Sequence, residues 1–152
     1  MFLIQSEELL EHVDQIIHRD TQLHTFCIDL TVSEIHRYTA GGALDFGGSE
    51  YVPASTEPIQ PQKRQADDDY GWWNLTEGAY RAYFNEKLQN VADTLSIISP
   101  HDHASKAGII MSGDHITSDE PHGQVAVDIR VPSVGVQIKE NARLATLHIL
   151  AE

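Results

Sequence analysis

The chain has 152 residues, the usual length of one domain, and can bury roughly two-thirds of the surface its unfolded form exposes, so one self-sufficient domain over 1–152 is expected. Twenty-three acidic against ten basic side chains give a formal charge of −13, which repels a phosphate backbone over the whole surface and excludes a nucleic-acid polymer as the expected partner. Apolar residues make up 41%, mean hydropathy is −0.30 and no run approaches the ~18 apolar residues of a membrane span, so no membrane partner is expected either.

At the start of the chain, Met1 to Ser6 lacks the basic opening and long apolar centre of a secretory signal, and the lone Cys27 has no partner for an internal disulfide. A cytoplasmic location is expected. Leu9, Leu10, Val13, Ile16 and Ile17 recur at three- and four-residue spacing behind Ser6, Glu7 and Glu8, which predicts a short amphipathic helix from about Glu7 to His18. Beyond Asp20 the pattern changes to segments rich in β-branched and aromatic residues. These are Thr25 to Val32, Ala79 to Phe84, Thr94 to Ile98, Gln124 to Val131, Val134 to Ile138 and Arg143 to Leu150, and they predict an all-β core. Between them, Gly41, Gly42, Gly47, Gly48, Pro53, Pro58 and Pro61 lead into the polar run Gln62 to Asp69, so residues 40–69 read as a long, mobile loop or arm. Trp72 and Trp73 read as anchors that pin the chain back after it.

The last third carries the chemistry. In Gln124 to Val131 the apolar Val125, Val127, Ile129 and Val131 alternate with Gln124, Ala126, Asp128 and Arg130, which places Asp128 on the face opposite the core, free to act. In Arg143 to Leu150, Leu144 and His148 face one way and Arg143, Ala145, Leu147 and Ile149 the other, which suggests packing on both sides, as in a closed barrel or a subunit interface. The upstream segment His101-Asp102-His103 to Lys106-Ala-Gly108 reads as a polar, extended loop.

The order of a short N-terminal helix, Cys27-Ile-Asp-Leu30 on an early strand, Leu75-Thr-Glu-Gly78, Lys106-Ala-Gly108, the Gly123 turn into an acidic strand and Asn141-Ala-Arg-Leu-Ala-Thr-Leu147 resembles the dCTP deaminase and dUTPase superfamily, over about Phe2 to Leu150. The resemblance implies a mainly β subunit, a distorted β-barrel or jelly roll of the dUTPase-like β-clip kind, assembled as a homotrimer with pyrimidine deoxynucleotide sites shared between neighbours. The deaminases of this family use a carboxylate as general base on water, helped by an arginine and a serine of the preceding loop. Matched by position, the carboxylate is Asp128, the arginine position holds Lys106 and the serine falls at Asp102 or His103, with Gln124 and Arg143 completing the nucleotide-binding set. The dUTPase branch uses an aspartate before the glycine turn, for which Asp119 is the counterpart, with Mg²⁺ carried on the triphosphate.

The resemblance thus implies hydrolytic deamination of dCTP to dUTP. Alternatives are dUTP pyrophosphatase activity or a non-catalytic trimer of the same fold that binds a nucleotide or a protein. His101-Asp102-His103 stands where these enzymes carry an Arg-Ser-Ser type loop, and Asp102 there would repel a triphosphate. Nine histidines offer a separate reading. His101, His103 and His115 are donors of the kind that hold Zn²⁺, Mn²⁺ or Fe²⁺, against a solvated cluster or one at a trimer axis, which would titrate near neutrality.

Overall fold

The computed structural model describes residues 1–89, 91–118 and 124–152. The chain is mainly β, a curled antiparallel sheet that closes as a half-barrel, as the strand periodicity and the resemblance predict.

The long strand β3 (Ile28–Ala40) is its spine. Its first residues pair with β13 (Arg143–Ala151), its middle with β6 (Gly78–Phe84) and its end with β4 (Ser55–Pro58). From Ile28 to Val32 both faces are buried, as expected where the sheet wraps on itself; beyond Val32 burial gives way to exposure toward Ala40. Outward from β13 the sheet continues through β8 (Thr94–Pro100) to β10 (Asp114–Thr117), and outward from β6 through β11 (Ala126–Val131) to β9 (Ile110–Met111). Short pairs flank it: β1 (Phe2–Leu3) on β13, β2 (Val13–Asp14) with β7 (Lys87–Leu88), and β5 (Trp72–Leu75) with β12 (Val136–Lys139). Ile28, Ile35, Phe84, Ile129, Leu147 and Ile149 fill the interior, and burying each such side chain contributes about 1.5–3 kcal/mol.

The N-terminal helix is shorter than its periodicity predicts. Ser6–Glu11 forms a 3-10 helix without a side-chain cap, Val13 leaves it to join β2, Gln15 takes a positive φ of 67°, and the next helical turn is α1 (Arg19–Gln22). Pairing of Val13 with Leu88 outcompetes another helical turn, since an uncapped first turn has little to hold it.

Arm 40–69 is not uniformly irregular: it holds β4, a bridge between Ala43 and Val52, and another between Gln62 and Trp72. Trp73 does anchor it, buried and donating its indole N–H to the Ile59 carbonyl at 2.7 Å. His101 to Lys106, expected as extended, is instead a helical turn, α2 (Asp102–Lys106). The His101 ring accepts the His103 N–H at 3.0 Å and Lys106 bonds Asp102 at 2.9 Å, the one-turn spacing of a helix.

Candidate active site

Two side-chain constellations emerge, one open and one closed. The open one centres on Asp128. Strand β11 alternates inward Val127, Ile129 and Val131 with outward Asp128 and Arg130, and its antiparallel register sets Asp128 opposite Arg81 of β6. Arg81 Nε donates to Asp128 Oδ1 at 3.2 Å, and the Tyr38 hydroxyl, from β3 one strand further, donates to the same oxygen. Tyr38 is pushed up from the ordinary tyrosine value, first by burial and then by the Asp128 hydrogen bond, so it stays a donor at neutral pH. The backbone is pinned as well, since Ser112 N–H donates to the Asp128 carbonyl at 3.2 Å. Asp128 remains half exposed and lies in a cleft of about 340 Å³ bordered by Tyr38, Ala79, Ile110, Met111, Ser112 and Arg130. A carboxylate with one oxygen tethered by two donors and the residue facing a cleft is oriented for proton transfer.

Gln124 shares that side of the sheet, its amide pointing back to Ser33 Oγ at 3.4 Å. Lys106 is not among the residues of this cleft. It pairs with Asp102 on the surface, and the Lys106 hydrogen bond holds the Asp102 carboxyl below the usual carboxylate range. Asp119 and the Gly123 turn lie outside the described residues.

The closed constellation centres on Asp29 of β3, which is 1% exposed. Its Oδ2 faces Arg143 at 3.1 Å, His24 at 3.0 Å and His101 at 3.5 Å. Arg143 is therefore turned inward to a buried carboxylate. His101 is pushed below the ordinary histidine value, first by burial, with Arg143 and His103 adding to the effect and Asp29 opposing it. Since Nδ1 accepts the His103 N–H, the neutral ring carries its proton on Nε2, toward Asp29. The His101 and His103 rings lie 4.7 Å apart, while His115 sits exposed on β10. Among the described residues no group of three or more His, Cys, Asp or Glu side chains could hold a metal ion.

Tyr38 and Arg81 are the partners that the sequence reading passed over. The signal was available for Arg81: Ala79, Arg81 and Tyr83 alternate with buried Ala82 and Phe84, so one antiparallel pairing puts Arg81 and Asp128 on one face. Tyr38 required knowing that β3 runs on to Ala40.

No family model matches the chain. Two curated proteins named "Probable deoxyuridine 5'-triphosphate nucleotidohydrolase", from Methanosarcina mazei and Methanosarcina acetivorans, are 24% and 25% identical over 154 aligned positions, covering 97% of this chain and 86% of theirs. Among solved structures, the 2'-deoxycytidine 5'-triphosphate deaminase of Agrobacterium tumefaciens superposes on 99% of this chain with a TM-score of 0.67 at 11% identity. This chain spans 48% of that deaminase chain, and the likeness is one of fold. Sequence similarity along nearly the whole length, together with the shared fold, supports a relationship of this chain to the dCTP deaminase and dUTPase superfamily.

Proposed function

We infer that this protein is a pyrimidine deoxynucleotide hydrolase in which Asp128 activates water, with deamination of dCTP to dUTP as its reaction. The observation that carries the reading is the tethered carboxylate: Asp128 is held by Tyr38 and Arg81 through one oxygen and lies in a cleft large enough for a ligand. It stands at the position that the superfamily resemblance gives to the general base. Asp128 takes a proton from water as the hydroxide adds to C4 of the base and returns that proton to N3; the proton of the new C4 hydroxyl passes to the exocyclic amine, the C4–N bond breaks, and ammonia leaves the uracil product. Arg81 holds the carboxylate in place, and Arg130, on the same face, offers an unburied positive charge to the ligand.

Lys106, Asp102 and His103 belong to this reading as the part of the site contributed by a neighbouring subunit of a homotrimer, since Lys106 does not border the Asp128 cleft of its own chain. Lys106 supplies charge without the bidentate fork of an arginine. Arg143, bound to Asp29, supports the α2 segment from behind. Mg²⁺ enters with the triphosphate, and the protein itself acts in the cytoplasm.

A second reading, dUTP pyrophosphohydrolysis, is favoured by the names of the Methanosarcina relatives. One assay separates the readings. The protein is incubated with dCTP or dUTP and Mg²⁺, and ammonia and pyrophosphate are measured in parallel. Ammonia from dCTP, lost in Asp128→Asn, supports deamination. Pyrophosphate from dUTP without ammonia from dCTP transfers the assignment to the second reading. Neither product, with no nucleotide bound at millimolar concentration, leaves the non-catalytic alternative.

A further inference from the structure

The most exposed apolar side chain among the described residues, Phe46, sits at the tip of arm 40–69 with Leu44 close by. Beyond the last β3–β4 pair, Ala40 with Ser55, the hairpin continues through two backbone hydrogen bonds between Ala43 and Val52, at 2.9 and 3.0 Å. Asp45 closes the tip by accepting the Gly48 N–H at 3.1 Å on one oxygen and the Glu50 N–H at 3.0 Å on the other. The tip is therefore preformed, and it presents Leu44 at 90% exposure and Phe46 fully exposed. Around the tip, from Ala40 to Ser55, the sequence holds Asp45 and Glu50 and no Lys or Arg, so this apolar knob carries an acidic fringe, while Glu57 further down the arm pairs with Arg37.

A matching hollow lies elsewhere. A cavity of about 210 Å³ opens between α2 and the β12–β13 segment, lined by Ala104, Ala107, Ile109, Val136, Ile138 and Leu144. It exceeds the ~150 Å³ that accommodates a benzene ring. Trp72 forms one wall, with the Arg64 guanidinium 3.6 Å and Lys139 Nζ 5.7 Å from its ring centre. Among the described residues neither Arg64 nor Lys139 forms an ion pair, so the rim is basic on an otherwise acidic molecule.

Knob and hollow lie at opposite ends of the long strand β3. Arg143 on the cavity wall pairs with Thr31, and β3 runs on from there to Ala40, a stretch of about 30 Å at ~3.3 Å per residue, before the hairpin continues outward. We propose that the arm tip seats Phe46, with Leu44 beside it, in the Ala104–Leu144 cavity of a second copy of this chain. Charge complementarity between Asp45 and Glu50 at the tip and the Arg64 and Lys139 rim sets the orientation. Because knob and hollow are different surfaces, the contact is heterologous: each copy gives one arm and receives another, and a ring closes where the rotation permits. The contact holds whichever reaction the protein catalyses.

Sedimentation equilibrium on the full chain tests it. The wild type is expected to assemble, and Phe46→Asp and Ala107→Trp are each expected to weaken assembly about tenfold or more. Both positions are exposed, so far-UV circular dichroism should stay as in the wild type, and the thermal midpoints should agree at dilutions where all are monomeric. Mixing the two variants should give a one-to-one pair, because one retains the hollow and the other the knob. Glu50→Lys should weaken assembly and Lys139→Glu in the same chain should restore it. A wild type that is monomeric into the high micromolar range overturns the proposal. So does a Phe46→Asp variant that assembles as the wild type does, or a mixture that stays monomeric.

Discussion

Asp29 and Asp128 sit in one curled sheet and are treated in opposite ways. Asp29, 1% exposed, is surrounded by Arg143, His24 and His101 on a single oxygen and ties β3, β13 and the start of α2 together. Asp128 has two partners on one oxygen as well, yet half of its side chain remains in solvent beside a cleft. Burial decides the difference. A fully enclosed carboxylate must be paired on all sides or the fold fails, whereas a half-exposed one can keep an oxygen for other chemistry. Glu86 extends the first class: it is buried beneath β3, accepts the Thr31 N–H at 2.6 Å and the Thr31 hydroxyl at 2.5 Å, and takes the Gln22 amide at 3.0 Å. Burial pushes Glu86 up from the ordinary carboxylate value against the pull of these donors.

Four substitutions would break or sharpen the contrast. The largest effect is expected at the open carboxylate: Asp128→Asn should lower turnover by about 10²–10⁴-fold in the ammonia assay while leaving the urea midpoint nearly unchanged. An Asp128→Asn variant that unfolds would put Asp128 in the same class as Asp29. Next is Glu86→Ala, which orphans the Thr31 and Gln22 donors and should cost about 3 kcal/mol in urea denaturation. A smaller effect concerns pH. His101 has a lowered folded value, so the unfolded state binds the proton more readily, and stability is full above the unfolded value of 6.5 and falls as pH drops below it. His101→Asn, which can still cap α2, should flatten that fall, by up to about 1.4 kcal/mol per pH unit inside the window, in urea titrations between pH 7 and 5. The smallest is Lys106→Ala, whose partner Asp102 is on the surface, and no change of thermal midpoint is expected. Under the homotrimer reading the same variant should still reduce turnover.

Strand identity was legible because burial alternates cleanly. Ala79 to Phe84 and Gln124 to Val131 match β6 and β11 closely, and the outward aim of Asp128 followed from period two alone. The N-terminal segment misled because Leu9 and Val13 are buried for different reasons, one from a 3-10 helix and one from a strand, and only tertiary pairing distinguishes them. His101 to Lys106 misled similarly, since a capping imidazole is not a common helix start. The Asp29 cluster joins residues more than a hundred positions apart, and no local spacing announces it. Net charge hid the local rule too: −13 overall says nothing of the basic Arg64 and Lys139 rim around Trp72.

The last strand also explains why its faces were hard to sort. Between Arg143 and Ala145 the pairing with β3 shifts, so Leu144 is an extra residue, and both it and Ala145 point into buried surroundings. Arg143 keeps its aim at Asp29, and from Ala145 onward every position pairs in order with β8 and, as far as Leu147, with β3. The bulge works like an inserted letter that leaves the reading frame intact: one apolar side chain is added to the interior, and neither end of the strand has to move to accommodate it.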